Sequence, residues 1–303
     1  MTNQPKAFEA RIELPPAPSR TFFDHLRGKI RKLRRQRVTA PADVYAKIDL
    51  EYWKPAAHYK AVNFGDELSR VVVELMLARQ GATLSDAVPK PRHLVSVGSV
   101  LHLAREGSVI WGTGLHGSMP EECHHYRQLD VRATRGPITR RFLAQRGISA
   151  PEIYGDPGLL VAHLTGDRFA PTGEFDVGFV PNMHDLPFLA QTKVIEQHPG
   201  MRLINPLRAW NEVIADITRH KMILASSLHG VVIAEAFGIP ACFVRLTEHE
   251  PLQKYEDYFE GTGRRLRYTS SVGEGLEKAA EGRAFRFDPQ SLVASFPYDL
   301  WGL

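Results

Sequence analysis

From about residue 44 onward, short apolar runs alternate with longer segments whose apolar positions recur every three or four residues. Ile48, Leu50 and Tyr52 alternate with polar neighbours and predict a strand. Residues 67–79 place Leu68, Val71, Val72, Leu75 and Met76 on one side of a helix. The runs 93–97 and 108–111, each leading into glycine, predict buried strands, as does 129–132. Pro137 suits the first turn of the helix after them. A further strand and the turn Tyr154-Gly155-Asp156-Pro157-Gly158 are expected within 152–160. Thr, Gly, Asp and Pro cluster across 164–174 and mark a boundary. A second series comes next: strand 175–180, helix 187–197, strand 201–204, helix 207–219, strand 222–225, helix 228–237 and strand 241–244.

Strands alternating with helices imply parallel sheets covered on both faces. Two such series predict an α/β chain of two Rossmann-like lobes facing across a cleft. The expected division is a basic, partly extended leader at 1–43, an N-terminal lobe at 44–166 and a C-terminal lobe at 172–285. A tail at 286–303 carries Leu292, Val293, Phe296, Leu300 and Trp301 and can dock on the first lobe.

Charge changes this picture at one end only. Residues 1–40 hold ten basic and three acidic residues, a net +7; the whole chain carries +4, which leaves −3 for the rest. Residues 21–37 also place Phe22, Phe23, Leu26, Ile30 and Leu33 at helical steps beside seven cations. Such a helix can lie peripherally on an anionic membrane, or serve as a solvated arm or a helix docked on its own domain. No nucleic-acid motif accompanies the charge, so no nucleic-acid partner is expected. The 303 residues contain no bilayer-length apolar run and no signal-peptide pattern, and two cysteines make no disulfide framework. The expected location is cytoplasmic. Cys123, His124 and His125 are neighbours without a second ligand pair, so no metal site is expected.

In open parallel sheets, ligands bind at the carboxyl ends of strands, where loops open into helix amino termini. Four segments have that form: Asn63-Phe64-Gly65-Asp66, Gly98-Ser99, Arg135-Gly136-Pro137 and Ser226-Ser227-Leu228-His229-Gly230. Asp66 and Ser99 serve equally well as helix caps. His229 at a helix start reaches a bound anion, moves a proton, or caps its neighbours.

These residues, with their neighbours, resemble the polysaccharide pyruvyltransferases, and among them the exopolysaccharide subgroup. The resemblance rests on Tyr52-Trp53, on Asn63 to Leu68, and on Gly98-Ser99 followed by Val109-Ile110-Trp111-Gly112-Thr113-Gly114. It continues through Val131 to Pro137, Tyr154 to Leu160, Ser226 to Gly230, Gly238-Ile239-Pro240 and Lys254 to Tyr258. It covers about residues 45–262.

The resemblance implies a fold similar to two-domain (GT-B-type) glycosyltransferases. It also implies phosphoenolpyruvate as co-substrate with no further cofactor, and a glycan acceptor, often a lipid-linked oligosaccharide. His229 matches the family's donor-site histidine and, with Asp66, is the candidate catalytic pair. Ser227 stands where many members have a donor-binding arginine. Arg135, Arg245 and Lys254 are the candidate replacements, with Ser226, Ser227 and Gly230 lining the donor site. The planar guanidinium favours the two arginines, unless they pair with acids at the core edge. Asn63, Gly65, Gly98, Ser99, Trp111, Gly112 and Asp156 are expected to face the acceptor or line the cleft, although a turn-forming role also suits Asp156. Two rival readings stay open. One is a nucleotide-sugar glycosyltransferase using Glu248 or Glu250 on a ribose; the other is a non-catalytic glycan-binding or scaffolding member.

Overall fold

The computed structural model describes residues 46–54, 62–282 and 284–303. The basic leader lies outside the described residues. The first half runs β1 (Ile48–Glu51), α1 (Phe64–Ala78), β2 (Arg92–Val95), β3 (Val109–Trp111), β4 (Asp130–Ala133), α2 (Pro137–Gln145) and α3 (Val161–Thr165). Its four strands form one parallel sheet in the order β1-β2-β3-β4. The second half runs β5 (Phe175–Val180), α4 (Leu186–Thr192), β6 (Met201–Leu203), α5 (Trp210–Thr218), β7 (His220–Ala225), α6 (Leu228–Ala236) and β8 (Ala241–Val244). It continues with α7 (Gln253–Gly261), β9 (Tyr268–Thr269), α8 (Val272–Glu281) and α9 (Gln290–Ala294). Its five strands form a second parallel sheet, β6-β5-β7-β8-β9.

Period-two alternation decides where the core sits. Leu94, Val109 and Trp111 point into one large cluster, and the intervening Val95 and Ile110 point to the opposite face of the first sheet. In the second sheet, Ile223 and Ala225 enter that same large cluster while Leu224 faces the other way. One face of each sheet therefore drains into a shared core, and each opposite face has its own smaller one. Helix α6 is part of the shared core, with Leu228, Val231, Val232, Ile233 and Ala234 all buried. A helix apolar on every side belongs inside. Helix α1 is amphipathic: Leu68, Val72 and Met76 enter the shared core, and Asn63 caps its first turn by accepting from the Gly65 N–H at 3.0 Å.

The tail closes over the first sheet. The Trp111 indole N–H donates to the Leu292 carbonyl at 3.1 Å, its ring meets Phe296 edge-on at 4.8 Å, and the Tyr298 hydroxyl donates to the Met76 carbonyl at 2.9 Å.

The elements differ from the pattern-based expectation in three respects. The helix expected over 187–197 stops at Thr192, because Lys193 turns left-handed (φ 51°) and sends Ile195 into the core of the second sheet. The strand expected within 152–160 is reduced to a single bridge between Thr134 and Tyr154. Helices α7 and α8 and strand β9 lie beyond the last regular element the pattern names. In α7, buried Lys254 and Asp257 interrupt the apolar stripe of Tyr255, Tyr258 and Phe259, which hides the helical period.

The two halves are joined at the start of α2. Arg135 and Asp257 are both wholly enclosed and paired at 3.0 Å. The Thr139 amide and hydroxyl also donate to Asp257, at 2.9 and 2.6 Å. Two glycines permit this approach: a Cβ on Gly136 would fall 1.8 Å from the Asp257 carbonyl oxygen, and one on Gly261 2.2 Å from that of Arg135. Removing one partner of a buried pair strands the other charge in the interior. Arg135→Ala is thus expected to lower the unfolding free energy by about 3–5 kcal/mol in urea titrations. Removing Asp257 as well should recover part of that loss.

Candidate functional site

Loops leaving the carboxyl ends of β5, β6 and β7 meet the amino end of α1. The Phe64 N–H donates to the Pro206 carbonyl at 3.0 Å, and the Asn63 amide reaches the Met183 sulfur at 3.8 Å, so the α1 terminus is held by the second half of the chain. The loop after β3 meets the one after β8 at Gly117, where a Cβ would lie 2.9 Å from the Gln253 side-chain oxygen.

His229 stands in the first turn of α6. Its Nδ1 side packs against Gly65, where a Cβ would sit 2.3 Å from Nδ1. Its Nε2 is 3.7 Å from Asp156 Oδ2, with the imidazole 15% exposed and the carboxylate fully enclosed. Neither of those two atoms has a hydrogen-bond partner among the described residues. Burial lowers the proton affinity of His229; Asp156 opposes that effect, and Lys254 and Arg135 add to it.

Asp66 is the next residue along α1. Burial pushes its carboxyl up to about 7, against the pull of Lys254 and with a further push from Glu250. It therefore holds a proton near neutrality, which a carboxyl in water does not. Lys254 is nearly enclosed and paired with Glu250, four residues earlier in the loop before α7. Burial raises the Glu250 carboxyl, but Lys254, His116 and His184 outweigh it and hold it below its usual range. His116, on the loop after β3, and His184, on the loop after β5, are both lowered first by burial. His184 Nε2 lies 3.8 Å from Glu250.

Thus five of the residues that the sequence nominates, His229, Gly65, Asp66, Asp156 and Lys254, come together. Asn63 supports them as the cap of α1. The hydroxyls of Ser226 and Ser227 are engaged in the β7–α6 turn: Ser226 accepts from the Asn182 N–H at 2.9 Å, and Ser227 accepts from the Gly230 N–H at 3.1 Å. Gly230 lets α6 press on the sheet, since a Cβ there would lie 2.8 Å from the side chains of Ala225 and Val180.

Arg135 lies behind the cluster, fixed by Asp257, by Ser99 Oγ at 2.6 Å and by the Leu115 carbonyl at 2.9 Å. The pairing with an acid, one of its two expected roles, is the arrangement observed. Arg245 makes no hydrogen bond or ion pair with the cluster through its side chain, and its buried Nε has no partner among the described residues. Trp111 packs under the tail instead of beside His229. Gly98 accepts from the Thr113 hydroxyl at 2.7 Å, behind the site. Gly112, at φ +82°, lets the Asp156 turn approach: a Cβ would lie 2.2 Å from Pro157. His116 and His184 are not among the residues that the sequence nominates, and Glu250 figures there only as a ribose ligand. Isolated histidines in loops carry no periodic or spacing signal, so sequence offers no means of finding them.

Among the described residues, no group of three or more His, Cys, Asp or Glu could hold a metal ion, and no helix is long and apolar enough to cross a membrane.

In this α/β protein of two parallel sheets, the polar cluster lies at strand carboxyl ends and helix amino ends, where such sheets commonly bind ligands. The family described as "Polysaccharide pyruvyl transferase" matches residues 63–247, a stretch that includes Gly65, Asp66, His116, Asp156, His184 and His229 but ends before Glu250 and Lys254, and the chain belongs to that family. It is 27% identical over 208 residues to the succinoglycan biosynthesis protein ExoV of Rhizobium meliloti (strain 1021), covering 66% of this chain and 62% of that protein. It is 25% identical over 202 residues to the uncharacterized protein L143 of Acanthamoeba polyphaga mimivirus, covering 62% of this chain and 66% of the relative. The chain spans just under two thirds of the length of either relative.

Two outcomes are expected. Gly65→Ala should push the His229 ring from its seat, and ligand affinity or turnover should fall at least tenfold while the circular dichroism spectrum is unchanged. For Asp66, the folded carboxyl binds its proton more tightly than the unfolded one, from the ordinary 3.8 up to about 7. Its contribution to stability therefore falls as pH rises through that window and is least favourable above it. Asp66→Asn should accordingly raise the melting temperature more at pH 8 than at pH 5, as differential scanning calorimetry would measure.

Proposed function

We propose that the protein transfers the pyruvyl group of phosphoenolpyruvate onto two neighbouring hydroxyls of a glycan, forming a cyclic pyruvate ketal in exopolysaccharide synthesis. The observation that carries this reading is the junction of Asp66, His229 and Lys254 on the amino-terminal turns of α1 and α6 and the first turn of α7. One carboxyl there is protonated near neutrality, one imidazole is kept neutral by burial, and one ammonium is nearly enclosed. Family membership and the match to a succinoglycan biosynthesis protein support it.

The chemistry then divides among the residues. Asp66 gives its proton to the methylene carbon of the donor, and positive charge develops at the neighbouring carbon. His229 takes the proton of the first attacking hydroxyl as the new C–O bond forms. Phosphate departs, and the second hydroxyl adds to the same carbon. Of the two hydroxyl protons, one is balanced by the new methyl C–H and the other leaves with phosphate. Lys254 and the positive ends of the α1 and α6 dipoles oppose the carboxylate and phosphate charges. In this reading Lys254, rather than either arginine, answers for the arginine replaced by Ser227, because Arg135 is already engaged with Asp257 and the Arg245 side chain makes no hydrogen bond or ion pair with the cluster among the described residues.

The two sheets are read as two Rossmann-like lobes closing on this junction, in the manner of two-domain glycosyltransferases. The basic leader would bring the protein to the cytoplasmic membrane face where lipid-linked acceptors are made.

The test is incubation with phosphoenolpyruvate and a panel of oligosaccharide and lipid-linked acceptors, following phosphate release together with acceptor mass. Phosphate release with a ketal-sized mass gain is expected, and His229→Ala should reduce it by at least 100-fold, the range of a lost acid–base group, without unfolding the protein. Release of a nucleoside diphosphate from a sugar nucleotide would sink the proposal. Glycan binding with no turnover across the panel would favour the scaffolding alternative.

A further inference from the structure

Asp156 divides its two oxygens between different tasks. Oδ1 accepts from the Gly158 N–H at 2.9 Å and closes the turn that precedes Pro157 and its short 3-10 segment. Turn formation therefore accounts for one oxygen only. Oδ2 is buried, has no hydrogen-bond donor among the described residues, and faces the equally unpartnered Nε2 of His229 across 3.7 Å. A buried carboxylate oxygen without a donor is costly to leave so. Two such atoms facing one another define a bond that a shift of under 1 Å would complete. Catalytic hydrogen bonds are commonly long until ligand binds.

The neighbours limit the direction in which the ring can move. Gly65 lies against the Nδ1 side, where even a Cβ would fall within 2.3 Å. Gly158, whose virtual Cβ lies 3.0 Å from Val232 and 3.1 Å from Asp156 Oδ1, holds the carboxylate from below. Gly112 has no side chain so that the turn bearing Asp156 can reach this depth. Three glycines thus seat the carboxylate and the imidazole face to face.

We infer that Asp156 is a positioning residue for His229, accepting the hydrogen bond of Nε2–H so that Nδ1 is the nitrogen that exchanges a proton with the ligand. This rests on the pyruvyl-transfer reading for the identity of the ligand, but not for the tautomer. A carboxylate on one ring nitrogen fixes which nitrogen is basic, the arrangement that orients other catalytic histidines. The other charged groups acting on this ring are Lys254 from α7 and Arg135 from the end of β4, both of which oppose a second proton; Asp66 is the titratable neighbour on α1. Asp156 is the only one of the perturbing groups that favours the charged ring.

Imidazole ¹⁵N and ¹³C chemical shifts of the full-length, substrate-free protein test the inference, with the His229 signals assigned by their loss in His229→Gln. Neutral His229 should carry its proton on Nε2 in the wild type. In Asp156→Asn, where the amide oxygen can still accept from Gly158, the proton affinity of His229 should fall at least tenfold. A neutral ring protonated on Nδ1, or a fall of less than threefold in the variant, overturns the proposal. If the variant does not fold, the wild-type tautomer alone decides. These readouts use neither donor nor acceptor, so they can fail while pyruvyl transfer stands, and the transfer assay can fail while they succeed.

Discussion

The buried contact between the start of α2 and helix α7 is the constraint on which the remaining arrangement depends. Two glycines bring backbone against backbone there, and the Arg135–Asp257 pair fills the space with compensated charge. An arginine bound this way cannot swing out to meet a ligand without leaving a carboxylate unpaired in the interior. What it does instead is fix the register of α7, and with it the position of Lys254 three residues before Asp257. The same guanidinium holds Ser99 and the Leu115 carbonyl, so the loops after β2 and β3 take their positions from it too. Family resemblance points to Arg135 because it stands at a strand end before a helix. Its enclosure makes it part of the wall.

The cluster in front of that wall is unusual in how little its charges are satisfied. Asp66 and His229 are half-buried and each is shifted toward its neutral form. The Lys254 ammonium is matched by Glu250, which His116 and His184 also influence. On the proposed reading, an enclosed site that keeps its groups neutral and holds its cation on a nearby acid suits a ligand bringing several negative charges. The amino-terminal ends of the α1 and α6 dipoles add partial positive charge in the same place. Glycines at 65 and 112 set how close the participating groups come, so much of the precision of the site resides in residues that take no part in chemistry.

Several of these features are legible in the sequence. The alternation of apolar runs identifies most strands, and the parallel α/β class follows from their order. Short polar segments at strand ends locate Asn63, Asp66 and His229. Helix α7 escapes that reading because Lys254 and Asp257 sit on its buried side, which breaks the pattern that periodicity detects. The helix expected over 187–197 overshoots because a left-handed residue, Lys193, is not a typical terminator and the core of the second sheet claims Ile195 just beyond it. Trp111 reads as a cleft residue from its motif, but the tail supplies a carbonyl and an aromatic ring that hold it inside.

By itself the sequence determined most of the secondary elements, their parallel pairing and the small set of residues from which a site is built, because those depend on local periodicity and on the requirements of helix and strand ends. The tertiary structure alone decided how each of those residues is used. It placed His229 against Gly65 and Asp156, raised Asp66 by burial, committed Arg135 to Asp257, and brought in His116, His184 and Glu250 from three separate loops. Protonation and pairing depend on burial and on charges distant in the chain, and neither quantity is written in the spacing of residues along it.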